Sequence, residues 1–342
     1  MKRSSDRMRA LLITAFAAGL AGAGPASAND TTADLKTGGL IFVRNDVIAM
    51  QREDLYISPD AVRVDYVFRN TSDADVDTVV AFPMPDITAQ QDYDVAVPER
   101  DSDNFLGFEV EADGQTLEPT LEQKAFAAEL DVTELLADAG VPLNPYAEAT
   151  QTALDGLPLE TRRDWTARGL LYLDRYDAGQ GWQESHRPTW RLKSTYWWRM
   201  RFPANKPVAV KHRYQPSVGG TVAVTFLEDG KPTPERHDDY VRKYCIERSF
   251  EQAVLKAAKR SDGYPPFFEN WISYVLTTGA NWATTIETFH LTIDKGDTKN
   301  LVSFCGEGVK KTGPTTFEMT KTDFYPTRDL DILILRPTDT RQ

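Results

Sequence analysis

The chain has 342 residues and carries 39 Lys and Arg against 51 Asp and Glu, a net charge of −12. A surplus of that sign disfavours nucleic acid and anionic membrane as partners, because both need a cationic footprint. The length exceeds what one ordinary core fills and suits two modules.

Lys2, Arg3, Arg7 and Arg9 lead into an apolar run from Ala10 to about Ala23, and Ala26-Ser27-Ala28 follows before Asn29. This is the build of a secretory signal peptide over residues 1–28, cleaved after Ala28. The run is shorter than the ~20 residues that cross a bilayer, and no later segment is apolar for long enough, so the mature chain is expected to have no membrane span. Cleavage removes four basic residues and one acidic residue, which leaves 35 against 50 and a net charge of −15. The expected location is the periplasm or the exterior.

Residues 29–120 read as a β module. Val62, Val64, Tyr66 and Phe68 alternate with Arg63, Asp65, Val67 and Arg69, the period of a half-buried strand. The turn Asn70–Asp75 leads to a strand from Val76 to Phe82, stopped by Pro83 and Pro85, which cannot donate to a ladder. Phe105–Ala112 and Thr116–Leu121, joined by Asp113-Gly114, predict a hairpin. Residues 121–185 read as a helical insertion: Ala125, Phe126, Leu130, Leu135, Leu136 and Ala139 recur at helical spacing up to Gly140 and Pro142. Short helices are expected at Tyr146–Leu154 and Leu159–Leu171, and a loop from Gly179 to Arg187.

Residues 186–342 read as a second β module with one helix. Tyr196, Trp198, Met200 and Phe202 face one way, Trp197, Arg199 and Arg201 the other. After the turn Pro203–Pro207 the residues Val208, Val210, His212 and Tyr214 answer them across a predicted hairpin, with Lys211 and Arg213 outward. A helix is expected within 240–259, then strands at Thr285–Ile293, Leu301–Phe304, Thr315–Thr320 and Leu330–Leu335. The fold expected from these readings is mainly β: two β-sandwich-like modules with a helical insertion between them. Cys245 and Cys305 are the only cysteines. In an oxidising compartment an isolated pair forms a disulfide, and there is no C-x-x-C spacing to favour redox chemistry.

Chemistry is sparse. His186, His212, His237 and His290 are the four histidines, and no two are spaced as a local zinc pair. The nucleophile elbow, the P-loop and the dinucleotide glycine pattern are absent. Asp73, Asp75 and Asp77 alternate as in some calcium loops but lack the glycine and distal Glu of an EF-hand, so they read as a solvated turn. The functional candidate is the aromatic and basic stretch, with Trp190, Trp197, Arg199, Arg201, Lys211 and Arg213 as tentative binding residues. Tryptophans stack on sugar rings, and arginines grip carboxylates and phosphates. Gly263–Trp271 concentrates prolines and aromatics and reads equally as a surface loop presenting aromatics to a partner or as a plug over the sandwich end.

The strings Phe68–Asp73 and Val79–Asp86 resemble the opening of the domain of unknown function 4424 family. So do Phe202-Pro203-Ala204, His212–Gly219, and Tyr274–Trp282 through Val302–Gly306. The resemblance spans nearly the whole mature chain and implies an exported bacterial protein, with no activity attached. The first module also resembles the vault/inter-alpha-trypsin domain at Phe68–Asn70, Phe82–Pro85, Phe105–Gln115 and Glu122–Phe126, which implies an interaction module.

The expected function is therefore an exported, soluble, non-catalytic binding module for a cell-envelope protein or glycan, without cofactor. The alternative is a periplasmic hydrolase acting on glycan or peptide through a carboxylate pair assembled from distant strands. A calcium-stabilised structural module is a third expectation.

Overall fold

A computed structural model describes residues 29–36, 39–89, 94–177 and 179–338. The expected signal peptide, residues 1–28, lies outside the described residues. The chain is mainly β, with three large sheets and a few short helices.

The first sheet runs, strand by strand, through Leu130–Asp131, Thr120–Ala127, Arg191–Phe202, Val76–Pro83, Thr31–Lys36 and Gly39–Val43, with Ile87–Thr88 added beside Arg191–Phe202. The second orders Lys310–Lys311, Thr316–Phe324, Ile286–Asp294, Ile48–Ile57, Val62–Asn70, Pro207–Tyr214, Glu109–Ala112 and Gln115–Leu117. The third orders Leu301–Phe304, Leu330–Pro337, Phe267–Tyr274, Val218–Thr221 and Asp94–Ala96. Pairing is antiparallel throughout these sheets except between Ile286–Asp294 and Ile48–Ile57. Each sheet takes strands from both sides of residues 121–185, so the segments expected as separate β modules are neighbours in all three.

Alternation decides which side chains meet. Val64, Tyr66 and Phe68 from the second sheet and Trp198, Met200 and Phe202 from the first are buried in one core, which Ile272, Tyr274 and Ile332 of the third sheet also enter. Phe68 and Phe202 meet edge to face across it, ring centroids 6.0 Å apart. The other face of the third sheet buries Phe267, Leu333 and Leu335 against Phe226, Tyr244 and Val254. Tyr244 and Val254 come from the helices Arg236–Tyr244 and Arg248–Ala258. That strip explains why Leu330–Pro337 is apolar on consecutive residues: it is covered on both sides.

The segment expected as a helix from Leu121 begins instead as a strand, Thr120–Ala127, and only Thr133–Asp138 is helical in its first part. The helical spacing is outweighed by seven residue pairs with Arg191–Trp197, which bury Ala125 and Ala127. Helices Glu148–Gly156 and Leu159–Ala167 follow close to expectation. The expected 179–187 loop is mostly strand, Trp182–Pro188, hairpinned onto Leu171–Asp177.

The strands Arg191–Phe202 and Pro207–Tyr214 alternate as read, but they do not pair. The first lies between Val76–Pro83 and Thr120–Ala127, and the second between Val62–Asn70 and Glu109–Ala112. The connection at 203–206 carries the chain from one sheet to the facing one. The acidic turn holds it there. Asp75 accepts from Ala204 N at 2.8 Å and from Arg201 at 2.6 Å, and Asp73 accepts from Asn205 at 3.1 Å. These carboxylates are engaged by the chain itself. Among the described residues no group of three or more His, Cys, Asp or Glu is placed to hold a metal ion.

Candidate functional site

The six residues singled out in the sequence do not form one patch. Trp190 is wholly buried, and its indole donates to Leu143 O at 2.8 Å. Trp197 is half-buried on the outer face of the first sheet, packed on Ala33, Val79 and Ala81. Arg199 and Arg201 lie exposed on that same face, and Arg201 is held by Asp75. Lys211 and Arg213 point out of the second sheet, on the opposite side of the sandwich. A groove of about 830 Å³ lies beside them, but Arg63, Lys211 and Arg213 there alternate with Asp65, Glu109 and Glu111. Asp103 and Glu118 line it too, so carboxylates outnumber cations and the groove disfavours an anion.

A smaller cleft of about 400 Å³ forms between the first sheet, the third sheet and the helix Arg236–Tyr244, a size within the range of small-molecule sites. Its walls are Pro85–Thr88 leaving the first sheet, Ser217 and Gly219 entering the third, Trp271 and Ser273 on the central strand Phe267–Tyr274, and Asp239, Tyr240, Lys243 and Tyr244 on the helix Arg236–Tyr244.

Each wall is fixed from behind. Glu269 is wholly buried next to the cleft. It accepts from Tyr240 OH at 2.6 Å and from Thr225 N at 2.5 Å, and the Trp271 indole also bonds to it. Burial pushes its carboxyl above the usual carboxylate range, against these hydrogen bonds. One side of the Trp271 ring rests on backbone, since a Cβ at Gly219 would lie 3.0 Å from the ring. The last turn of the helix is clamped by the Cys245–Cys305 disulfide, Cα atoms 5.0 Å apart. Arg328 donates to Arg242 O and Lys243 O, both at 2.9 Å, where the helix dipole favours a cation. Ser303 adds a bond to Tyr244 O at 3.0 Å.

Asp86 supplies the polar focus. Burial raises its carboxyl, with Lys193 and Arg191 pulling the other way. Its Oδ2 lies 3.2 Å from Arg191 Nε, while Oδ1 is buried with no hydrogen-bond partner among the described residues. A carboxylate with an unused acceptor, lining the same cleft as three aromatic side chains, is suited to a hydroxyl or amide donor.

Gly220 has no room for a side chain, because a Cβ would lie 2.6 Å from Glu269 O. Gly220→Ala is expected to cost about 1–3 kcal/mol by overpacking against backbone, read as a lower urea midpoint. An unchanged midpoint would contradict this packing.

The cleft was not assembled from the sequence. Trp271 fell within the aromatic segment Gly263–Trp271, Asp86 within the string Val79–Asp86, and Tyr240 with Tyr244 shows the four-residue spacing of one helix face. Nothing local joins the three.

The fold is mainly β and sandwich-like, with a lateral cleft lined in part by aromatic side chains. The chain belongs to the family described as Domain of unknown function (DUF4424), whose model matches residues 28–333. That match lends nothing to the vault/inter-alpha-trypsin resemblance. No curated protein matches the chain. Among solved structures it is similar to a Legionella pneumophila protein described as a "putative nutrient binding protein". The identity is 13%, over 91% of this chain and 71% of that one, and the TM-score is 0.41.

Proposed function

We propose that the protein is an exported binding module that takes a saccharide of the cell envelope into the cleft between Asp86, Tyr240, Tyr244 and Trp271. The carrying observation is that Asp86, whose Oδ1 has no hydrogen-bond partner among the described residues, lines one cleft with Tyr240, Tyr244 and Trp271. Aromatic rings offer flat apolar area to the C–H faces of a sugar, and a carboxylate accepts from its hydroxyls. The disulfide supports an oxidising compartment, as does the basic and apolar leader ahead of Asn29. Among the described residues no helix is long and apolar enough to cross a membrane.

The test is cosedimentation of the mature chain with isolated envelope polysaccharide. The native protein and Arg213→Ala are expected to pellet with the polymer, and Trp271→Ala to lose at least about tenfold in affinity, the scale of an aromatic anchor of ~1.4 kcal/mol or more. Equal pelleting of Trp271→Ala would remove the cleft from the account.

The raised carboxyl of Asp86, sharing the cleft with Asp239, favours a second reading, hydrolysis of the bound glycan. Asp239 is exposed and bound by Arg242 on its own helix, which places it poorly for activating water. Release of reducing ends by the native protein but not by Asp86→Asn would establish hydrolysis over simple binding.

A further inference from the structure

The most unusual chemistry in the molecule lies in the core. Asn29 and Asp30 are wholly buried, as are Glu53 and the side chain of His212. Asn29 sits in a made-to-measure seat. Its Nδ2 donates to Glu53 Oε2 at 3.2 Å, and its Oδ1 accepts from Tyr66 OH, which in turn lies 3.1 Å from Tyr274 OH. Its backbone N donates to Thr278 Oγ1 at 2.9 Å, and that hydroxyl donates back to Asn29 O at 2.8 Å. Trp282 donates to Asp30 O at 2.7 Å. A Cβ at Gly279 would lie 2.7 Å from Asn29 Nδ2, so glycine there leaves the room the amide occupies.

The accounting of donors does not close. Asp30 Oδ1, Asp30 Oδ2 and Glu53 Oε1 are buried with no hydrogen-bond partner among the described residues. His212 Nε2 lies 3.5 Å from Asp30 Oδ1, but its ring is packed among Tyr66, Phe82, Phe108 and Trp198, and burial drives its pKa down to about 3, so it is neutral. Burial pushes Glu53 up to about 8, and Asp30 upward as well, with Glu53 adding to it. Two carboxyls enclosed with no cation are costly unless a positive group joins them.

We propose that Asp30 and Glu53 are the counter-charges of the α-ammonium group that cleavage after Ala28 leaves on Asn29, so that removing the leader completes the core. The proposal rests on the exported reading and on that cleavage position. Hydrolysis of the Ala28–Asn29 bond puts the hydroxyl of water on the Ala28 carbonyl and its proton on the Asn29 nitrogen, and a further proton from solvent makes the ammonium. A peptide nitrogen there has one proton, already given to Thr278. The ammonium has three, so cleavage brings two new donors and one positive charge to a cluster holding three partnerless carboxylate oxygens. Maturation then selects the folded state: the chain gains its last core ion pair only after export.

The experiment compares the exported, processed protein with the same chain carrying one extra alanine before Asn29, each alone and with Glu53→Gln. Intact mass first establishes where the processed chain starts. The Asn29 α-amine is then labelled with an acetylating reagent at neutral pH, in the native protein and in urea. The proposal predicts labelling at least about tenfold slower in the native protein than in the unfolded chain. It also predicts a lower urea midpoint for the extended chain, with that difference abolished by Glu53→Gln, as a double-mutant cycle requires. A start at Asn29 with an amine that labels as fast as in urea, or an extended chain of equal midpoint, overturns the proposal alone. A start at another residue overturns the cleavage position and the proposal together.

Discussion

Replacing both Cys245 and Cys305 by serine is expected to lower the unfolding free energy by about 4 kcal/mol, the chain-entropy value for a closed loop of this size. The two residues are 60 apart in sequence, so the unfolded chain loses a long free loop when they are joined. The same bond ends the helix Arg236–Tyr244, which supplies Tyr240, Lys243 and Tyr244 to the cleft. Two effects should therefore travel together. The melting temperature should fall by roughly 10 °C, and amides of that helix should exchange faster than those of the strand Val62–Asn70, which lies inside the second sheet. Calorimetry and hydrogen exchange on the oxidised and serine proteins measure both. An unchanged melting temperature would show that the loop is held by packing alone.

Trp190→Ala is the second large effect, with an expected loss of about 3–5 kcal/mol. Trp190 is 0% exposed and lies among Leu136, Leu154, Trp165 and Leu171, so it is the centre on which the helices Thr133–Asp138, Glu148–Gly156 and Leu159–Ala167 settle. Truncation leaves a cavity there and strands Leu143 O, which accepts the indole proton at 2.8 Å. Urea unfolding should show the loss, and Trp190→Phe should recover part of it by refilling volume without restoring the hydrogen bond. A loss below 1 kcal/mol would mean that the helical segment contributes little to the stability of the sheets.

Trp190 also shows where the sequence was readable and where it was not. Its position in an aromatic and basic run suggests a binding surface, yet the strand Arg191–Phe202 turns every second residue inward and Trp190 joins that buried set. Period-two alternation specifies a face, and Val62–Phe68 and Val208–Tyr214 were legible for that reason. Alternation does not name a neighbour. Pro207–Tyr214 pairs with Val62–Asn70 rather than with the strand just before it, because the intervening four-residue connection changes sheets instead of reversing within one. The segment from Leu121 to Ala127 reads as helix for a related reason: its partner Arg191–Trp197 begins more than sixty residues later, beyond any local window. The disulfide was legible from two cysteines alone. The cleft was not, since Asp86, Tyr240 and Trp271 come from three separated segments that only the folded sheets bring together.

The central claim, that the cleft binds an envelope saccharide, is tested most directly by titrating the mature protein with soluble oligosaccharides released from its own envelope while following tryptophan fluorescence. A saturable change is expected in the native protein, lost in Trp271→Ala, sharply weakened in Asp86→Asn and retained in Arg199→Ala. A saturable change that survives Trp271→Ala, or none in the native protein, would contradict it.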